Sequence, residues 1–169
     1  MKVRFICPLD YEVHVPVDFD FRTYVNSFLE KQRPRAHISR FELNESVPGL
    51  LLKGKTYKAI KVAIKSEELV PISEIKSFVE EQGGIFGGAM GLLLFLDQNT
   101  SAIIWNSVLH SFEPDVDGLP SSQAVAEYDS EKDLMVYQSV SDRISSEYSS
   151  ISGQGSCTGS VRFIYFKEV

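Results

Sequence analysis

Residues 91–96 read Gly91-Leu92-Leu93-Leu94-Phe95-Leu96, and the placement of this run decides the fold. It is apolar without interruption and runs into the turn-like Asp97-Gln98-Asn99-Thr100, with Ala102 to Trp105 beyond. A short apolar run bounded by turn signals fits a strand covered on both faces. The reading predicts two strands around 97–100, with Leu92 to Phe95 at the centre of a sheet.

The segment upstream, Ser73 to Gln82, has a helical stripe in Ile72, Ile75 and Val79, and Gly83 stands where a C-terminal cap belongs. The strongest helix lies earlier. Phe21, Tyr24, Val25, Phe28 and Leu29 recur at helical spacing, Asp18 and Asp20 suit its start, and Pro34 stops it. This stripe is expected to pack on the sheet that holds Leu92 to Phe95.

Alternation marks the remaining strands. Lys2 to Ile6 and His37 to Leu43 alternate, and Tyr11 to Pro16 is extended. Leu50 to Leu52 and Tyr57 to Ile64 flank Lys53-Gly54-Lys55 as a hairpin, its second arm having one core and one solvent face. Ala124 to Tyr128 and Leu134 to Gln138 form another hairpin around Asp129–Asp133, and Val161 to Phe166 closes the chain. Asn106 to Ser122 reads as a long connection, Asp142 to Ile151 as a short polar helix, and Ser149 to Ser160 as a mobile Ser/Gly stretch. Together these predict a single α+β domain over 1–169. Its sheet, of about seven strands, is mainly antiparallel or mixed, with two or three helices packed on one face.

Composition narrows the function. The 169 residues are 43% hydrophobic and 24% charged, ordinary values for a folded domain. The apolar stretch after Lys2 and Arg4 stops at Pro8, too short for a secretory leader, so the expected compartment is the cytoplasm. No run has membrane length. Two cysteines, Cys7 and Cys157, make no disulfide framework. Charge is uneven: residues 1–65 hold 12 Lys/Arg against 7 Asp/Glu, a net of +5, and residues 66–169 hold 5 against 16, a net of −11.

The motifs resembling catalytic ones are incomplete. Gly83 to Gly91 is Gly-rich, but a phosphate loop runs from strand to helix N-terminus and ends in a Lys-Ser or Lys-Thr pair, which this segment lacks. Gly155-Ser156-Cys157-Thr158-Gly159 has nucleophile-elbow spacing without the strand–turn–helix context. His14, His37 and His110 are scattered, and no metal-ligand spacing occurs. Glu113-Pro114-Asp115-Val116-Asp117-Gly118 opens like a calcium loop, yet its twelfth position is Ala124. No catalytic residue, metal or cofactor is therefore expected.

What remains is a field of acids beside aromatics: Trp105, Glu113, Asp115, Asp117, Tyr128, Asp129, Glu131 and Asp133. Aromatic anchors with steering charge make a protein-binding surface. The expectation is a non-enzymatic module that binds a basic protein, most concretely an immunity- or antitoxin-type inhibitor masking the cleft of a toxin such as a nuclease. Neither membrane nor direct nucleic-acid binding is expected. The alternatives are a small hydrolase-like enzyme using Cys157 or a histidine, and a small-ligand binder with a pocket near Gly83 to Gly91.

Overall fold

A computed structural model describes residues 4–32, 36–40, 51–99, 107–112, 123–129, 134–140, 150–154 and 160–169. In chain order they form β1 (Arg4–His14), α1 (Phe21–Gln32), β2 (Ala36–Arg40), β3 (Thr56–Pro71), α2 (Ile72–Glu81) and α3 (Gly88–Gln98). Then follow β4 (Ser107–Phe112), β5 (Gln123–Asp129), β6 (Leu134–Val140), β7 (Ser150–Gln154) and β8 (Ser160–Glu168). The strands make one mixed sheet in the order β1-β3-β8-β4-β5-β6-β2, with β7 also on β3. Pairing is antiparallel except between β4 and β8 and between β2 and β6. The α+β class and mixed sheet agree with the sequence pattern, with eight described strands rather than seven.

The apolar run at 91–96 belongs to α3, which corrects its placement as a central strand. Leu92 to Phe95 have no exposed surface and Leu96 is 2% exposed, because α3 is covered by the sheet on one side and by α1 on the other. A helix buried all round has no polar phase, so its sequence looks like that of a buried strand. Its Leu, Met, Ala and Phe are unbranched at Cβ, however, whereas β3 and β8 carry Ile60, Val62, Ile64 and Ile164.

The α1 helix forms as its stripe dictates. Asp20 Oδ1 accepts the Thr23 backbone N–H at 2.8 Å, a side-chain cap of the first turn. That bond to the charged form holds the Asp20 carboxyl below its ordinary range. Val25 and Phe28 are buried, and Phe21 and Tyr24 pack at the margin of the same core. They share that core with α3 and with Val13, Tyr57 and Ala59 of β1 and β3. The Tyr24 hydroxyl donates to Asp97 Oδ2 at 2.6 Å and Lys31 Nζ lies 3.6 Å from Asp97 Oδ1, tying α1 to the end of α3.

Strand β3 is buried on both faces, which corrects the expectation of a solvent face. Tyr57 and Ala59 face α1 and α3; Ile60, Val62 and Ile64 face α2 with Phe163 and Tyr165 of β8. The expectation of helices on one face therefore holds for α1 and α3, while α2 covers the other. Leu50 to Leu52 is not a hairpin arm over its described residues. Instead Gly54 N–H donates to the Val15 carbonyl at 2.8 Å and Val15 N–H to the Lys55 carbonyl at 2.9 Å. Two stretches read as loop contain strands: Ser107–Phe112 is β4, and Ser150–Gln154 is β7, which takes Ser150 and Ile151 out of the expected polar helix. Backbone pairing with β8, β5 and β3 supplies what their own composition does not signal.

Glycines carry the chain between the two helical layers. At the end of α2, Gly84 N–H donates to the Val79 carbonyl and Gly83 N–H to the Glu80 carbonyl, a Schellman motif with Gly83 at φ +65°. Ile85 then makes two backbone bonds to Phe166, taking a place in the sheet beside β8. A Cβ on Gly84 would fall within 3.0 Å of the Tyr165 ring, and one on Gly87 or Gly91 within 3.0 Å of the Phe166 ring. The Gly-rich segment is thus a cap and a close backbone crossing.

The outer edge of β1 is managed by side chains of α3 and the residue after it. Gln98 accepts from the His14 N–H at 2.8 Å and donates to the His14 carbonyl at 2.7 Å, and Asn99 donates to the Glu12 carbonyl at 3.0 Å. The register shift between Ile6 and Leu9, at Pro8, further blunts this edge.

Candidate functional site

Of the expected acidic surface, Trp105, Glu113, Asp115, Asp117, Glu131 and Asp133 lie outside the described residues. Tyr128 and Asp129 end β5, with backbones opposite Met135 and Leu134 of β6. The β4–β5 register pairs Phe112 with Gln123 and Leu109 with Ala126.

The residues weighed for catalysis do not converge. Cys157 lies outside the described residues. His14 Nδ1 is 3.0 Å from Thr56 Oγ1 on the β1–β3 pair. His110, on β4, stacks on Phe112 at 6.1 Å between ring centroids. Strands β3 and β8 stand between these histidines, and His37 is on β2, beyond β6. Among the described residues no group of three His, Cys, Asp or Glu side chains could hold a metal ion, and no helix is long and apolar enough to cross a membrane. The Tyr165 ring lies against Gly84, and the Phe166 ring against Gly87 and Gly91.

A different group of residues stands out once register is known. Lys61 is 2% exposed and Arg162 is 1% exposed. Lys61 pairs with Ile164 and Ala63 with Arg162, so the two cations lie diagonally on adjacent strands, on the face shared with Tyr57, Ala59 and Ile164. Diagonal neighbours are about 7–8 Å apart, within reach of long side chains. On the other side of β3, Leu9 pairs with Lys61 and Tyr11 with Ala59, which brings the Tyr11 ring alongside. Lys61 Nζ lies 5.2 Å from the centroid of that ring, a cation–π contact.

Burial first, and the Arg162 charge second, lower the Lys61 ammonium from its ordinary 10.5 to about 8. Burial pushes the Arg162 guanidinium down as well. The same face continues outward. Arg4 pairs directly with Lys65 across β1 and β3, and both are exposed. Asp10 and Glu12 have the opposite phase, pairing with Ile60 and Lys58. The arrangement thus gathers four positive charges on one face of three neighbouring strands, two of them buried.

The sequence held a signal for this cluster. Lys61 sits in phase with Tyr57, Ala59 and Ala63, and Arg162 in phase with Ile164 and Phe166. A cation in phase with core residues is a buried cation if its strand is central. That condition became visible only with the strand order. The chain matches no family model, no curated protein and no solved structure.

Proposed function

We propose that this chain is a non-catalytic binding protein, most concretely an inhibitor of the immunity or antitoxin type that docks on the basic cleft of a toxin such as a nuclease. The observation that supports it is the β5–β6 ladder. Asp129 pairs with Leu134, which limits the connection to the four residues 130–133, among them Glu131 and Asp133. Acids on a short hairpin connection, beside Tyr128, supply charge for steering and a ring for anchoring. The net charge of −6 favours approach to a basic partner.

The test is co-purification of a basic protein, then association kinetics with it at several salt concentrations. Screening shortens from roughly 30 Å at 0.01 M to 10 Å at 0.1 M, so the association rate should fall steeply across that range. Changing Asp129, Glu131 and Asp133 to Lys should slow association and flatten its salt dependence, and Tyr128→Ala should act mainly on dissociation. An association rate indifferent to salt and to the triple reversal refutes the acidic-hairpin reading.

A further inference from the structure

We infer that Tyr24, Asp97, Gln98 and Asn99 form a latch that shuts the outer edge of β1 against pairing with a second copy of this chain. The latch does not depend on the acidic-hairpin reading. Facing residues of antiparallel strands exchange two bonds, the N–H of each to the carbonyl of the other. The Gln98 carboxamide makes the same pair of bonds to His14, at 2.8 and 2.7 Å. Asn99 bonds the Glu12 carbonyl at 3.0 Å, two residues along and so on the same side of the strand. Among the described strands β1 is the last in the sheet order, and these two side chains stand where a neighbouring strand would.

The guard is held from two sides. On one, the Asn99 N–H donates to the Phe95 carbonyl at 2.9 Å, continuing the ladder of α3. On the other, the Tyr24 hydroxyl of α1 donates to Asp97 Oδ2 at 2.6 Å, and the Gln98 side chain reaches the same hydroxyl. Burial first, and the bond to Asp97 second, push the Tyr24 phenol above its ordinary range, so it keeps the proton it donates. Register sets the occupant of an opened edge. The outward backbone groups are those of Glu12 and His14. A two-fold axis through Val13 brings His14 of each copy opposite Glu12 of the other, an imidazole facing a carboxylate. A second copy thus supplies the bonds that Gln98 and Asn99 now make. The register shift at Pro8 interrupts the edge farther toward the N-terminus, so the guarded stretch is where a strand would add.

The experiment combines residue-resolved hydrogen exchange with sedimentation velocity on the intact chain. Gln98→Ala together with Asn99→Ala should speed exchange of the His14 amide roughly tenfold or more and raise the dimer fraction above that of the parent. Tyr24→Phe removes only the hydroxyl and keeps the ring against Phe19, at 5.0 Å between centroids. It should speed exchange at His14 several-fold with the core intact. Adding Glu12→Pro to the double variant should abolish the extra dimer, because proline removes an outward N–H that a partner strand needs. Lys55→Ala, which breaks the exposed pair with Glu168, should change neither readout. Four results overturn the proposal: exchange at His14 unchanged in the double variant; exchange unchanged in Tyr24→Phe; fast exchange in the double variant with no more dimer than the parent; or a dimer that survives Glu12→Pro.

Discussion

Replacing Gly87 with alanine adds one methyl group where the structure has no space for it. Gly87 has φ −103° and ψ −9°, which alanine adopts freely, so the perturbation is steric. The new Cβ falls within 3.0 Å of two ring carbons of Phe166 and of the Gly91 Cα. Phe166 has no exposed surface, and its backbone is bonded both ways to Ile85, so the ring cannot swing out to solvent. Overpacking of this kind costs about 1–3 kcal/mol. For a chain of this length that is a fall in Tm of roughly 2–12 °C. Gly83→Ala is the matched control: nothing lies within 4 Å of its Cβ, but its φ of +65° penalises any side chain by about 1 kcal/mol. Asparagine should recover part of the loss at 83, since it tolerates that conformation, and should worsen it at 87. Urea denaturation followed by circular dichroism gives both values. Adding Phe166→Leu to Gly87→Ala should show a favourable coupling, because the smaller side chain makes room. A Gly87→Ala protein within about 0.5 kcal/mol of the parent, or one more stable than Gly83→Ala, would refute the close-crossing argument.

Phe28→Ala should cost about 3–5 kcal/mol, since Phe28 is 1% exposed in the core shared by α1 and α3; a loss under about 1 kcal/mol would mean that contact is not formed. Stability should also rise with pH through Lys61. Its folded ammonium loses its proton near 8 and its unfolded one near 10.5, so between these values the unfolded chain binds more protons. The cost of burying the charge is full below 8 and is relieved as pH climbs, with a ceiling of about 3 kcal/mol. Denaturation midpoints at pH 7.5 and 9.5 should show the parent gaining on Lys61→Met, and parallel pH profiles would contradict this.

The elements legible in the sequence are those whose signals are local. The α1 helix has a one-sided stripe and a capping Asp20, α2 ends in Gly83, and β5 and β6 alternate around a short polar connection. The α3 helix was hidden because burial on every side removes the periodicity that identifies a helix, leaving only its lack of β-branching. Strand β7 was hidden because its pairing groups are backbone atoms and its register is set by β3, distant in the chain. The cationic face was half legible. Lys61 is in phase with Tyr57, Ala59 and Ala63, but whether that side meets solvent or protein depends on β3 lying between β1 and β8. A lone arginine in Val161 to Phe166 gives no local sign of burial; only the place of β8 between β3 and β4 does.

The position of β8 has a consequence for how the chain reaches this structure. It is flanked by β3 and β4, and its pairing with β3 joins residues about one hundred positions apart, as in Tyr57 with Glu168. Until β8 is inserted, β3 has only β1 beside its 57–63 stretch, and β4 has only β5. Each half then presents an open edge rich in apolar residues. Non-local closure of this kind makes folding slow, and it leaves the incomplete sheet open to pairing with another chain. Segment 160–168 is thus the keystone of folding, and a free peptide of that sequence should act on the refolding protein as a trap for the unfilled slot.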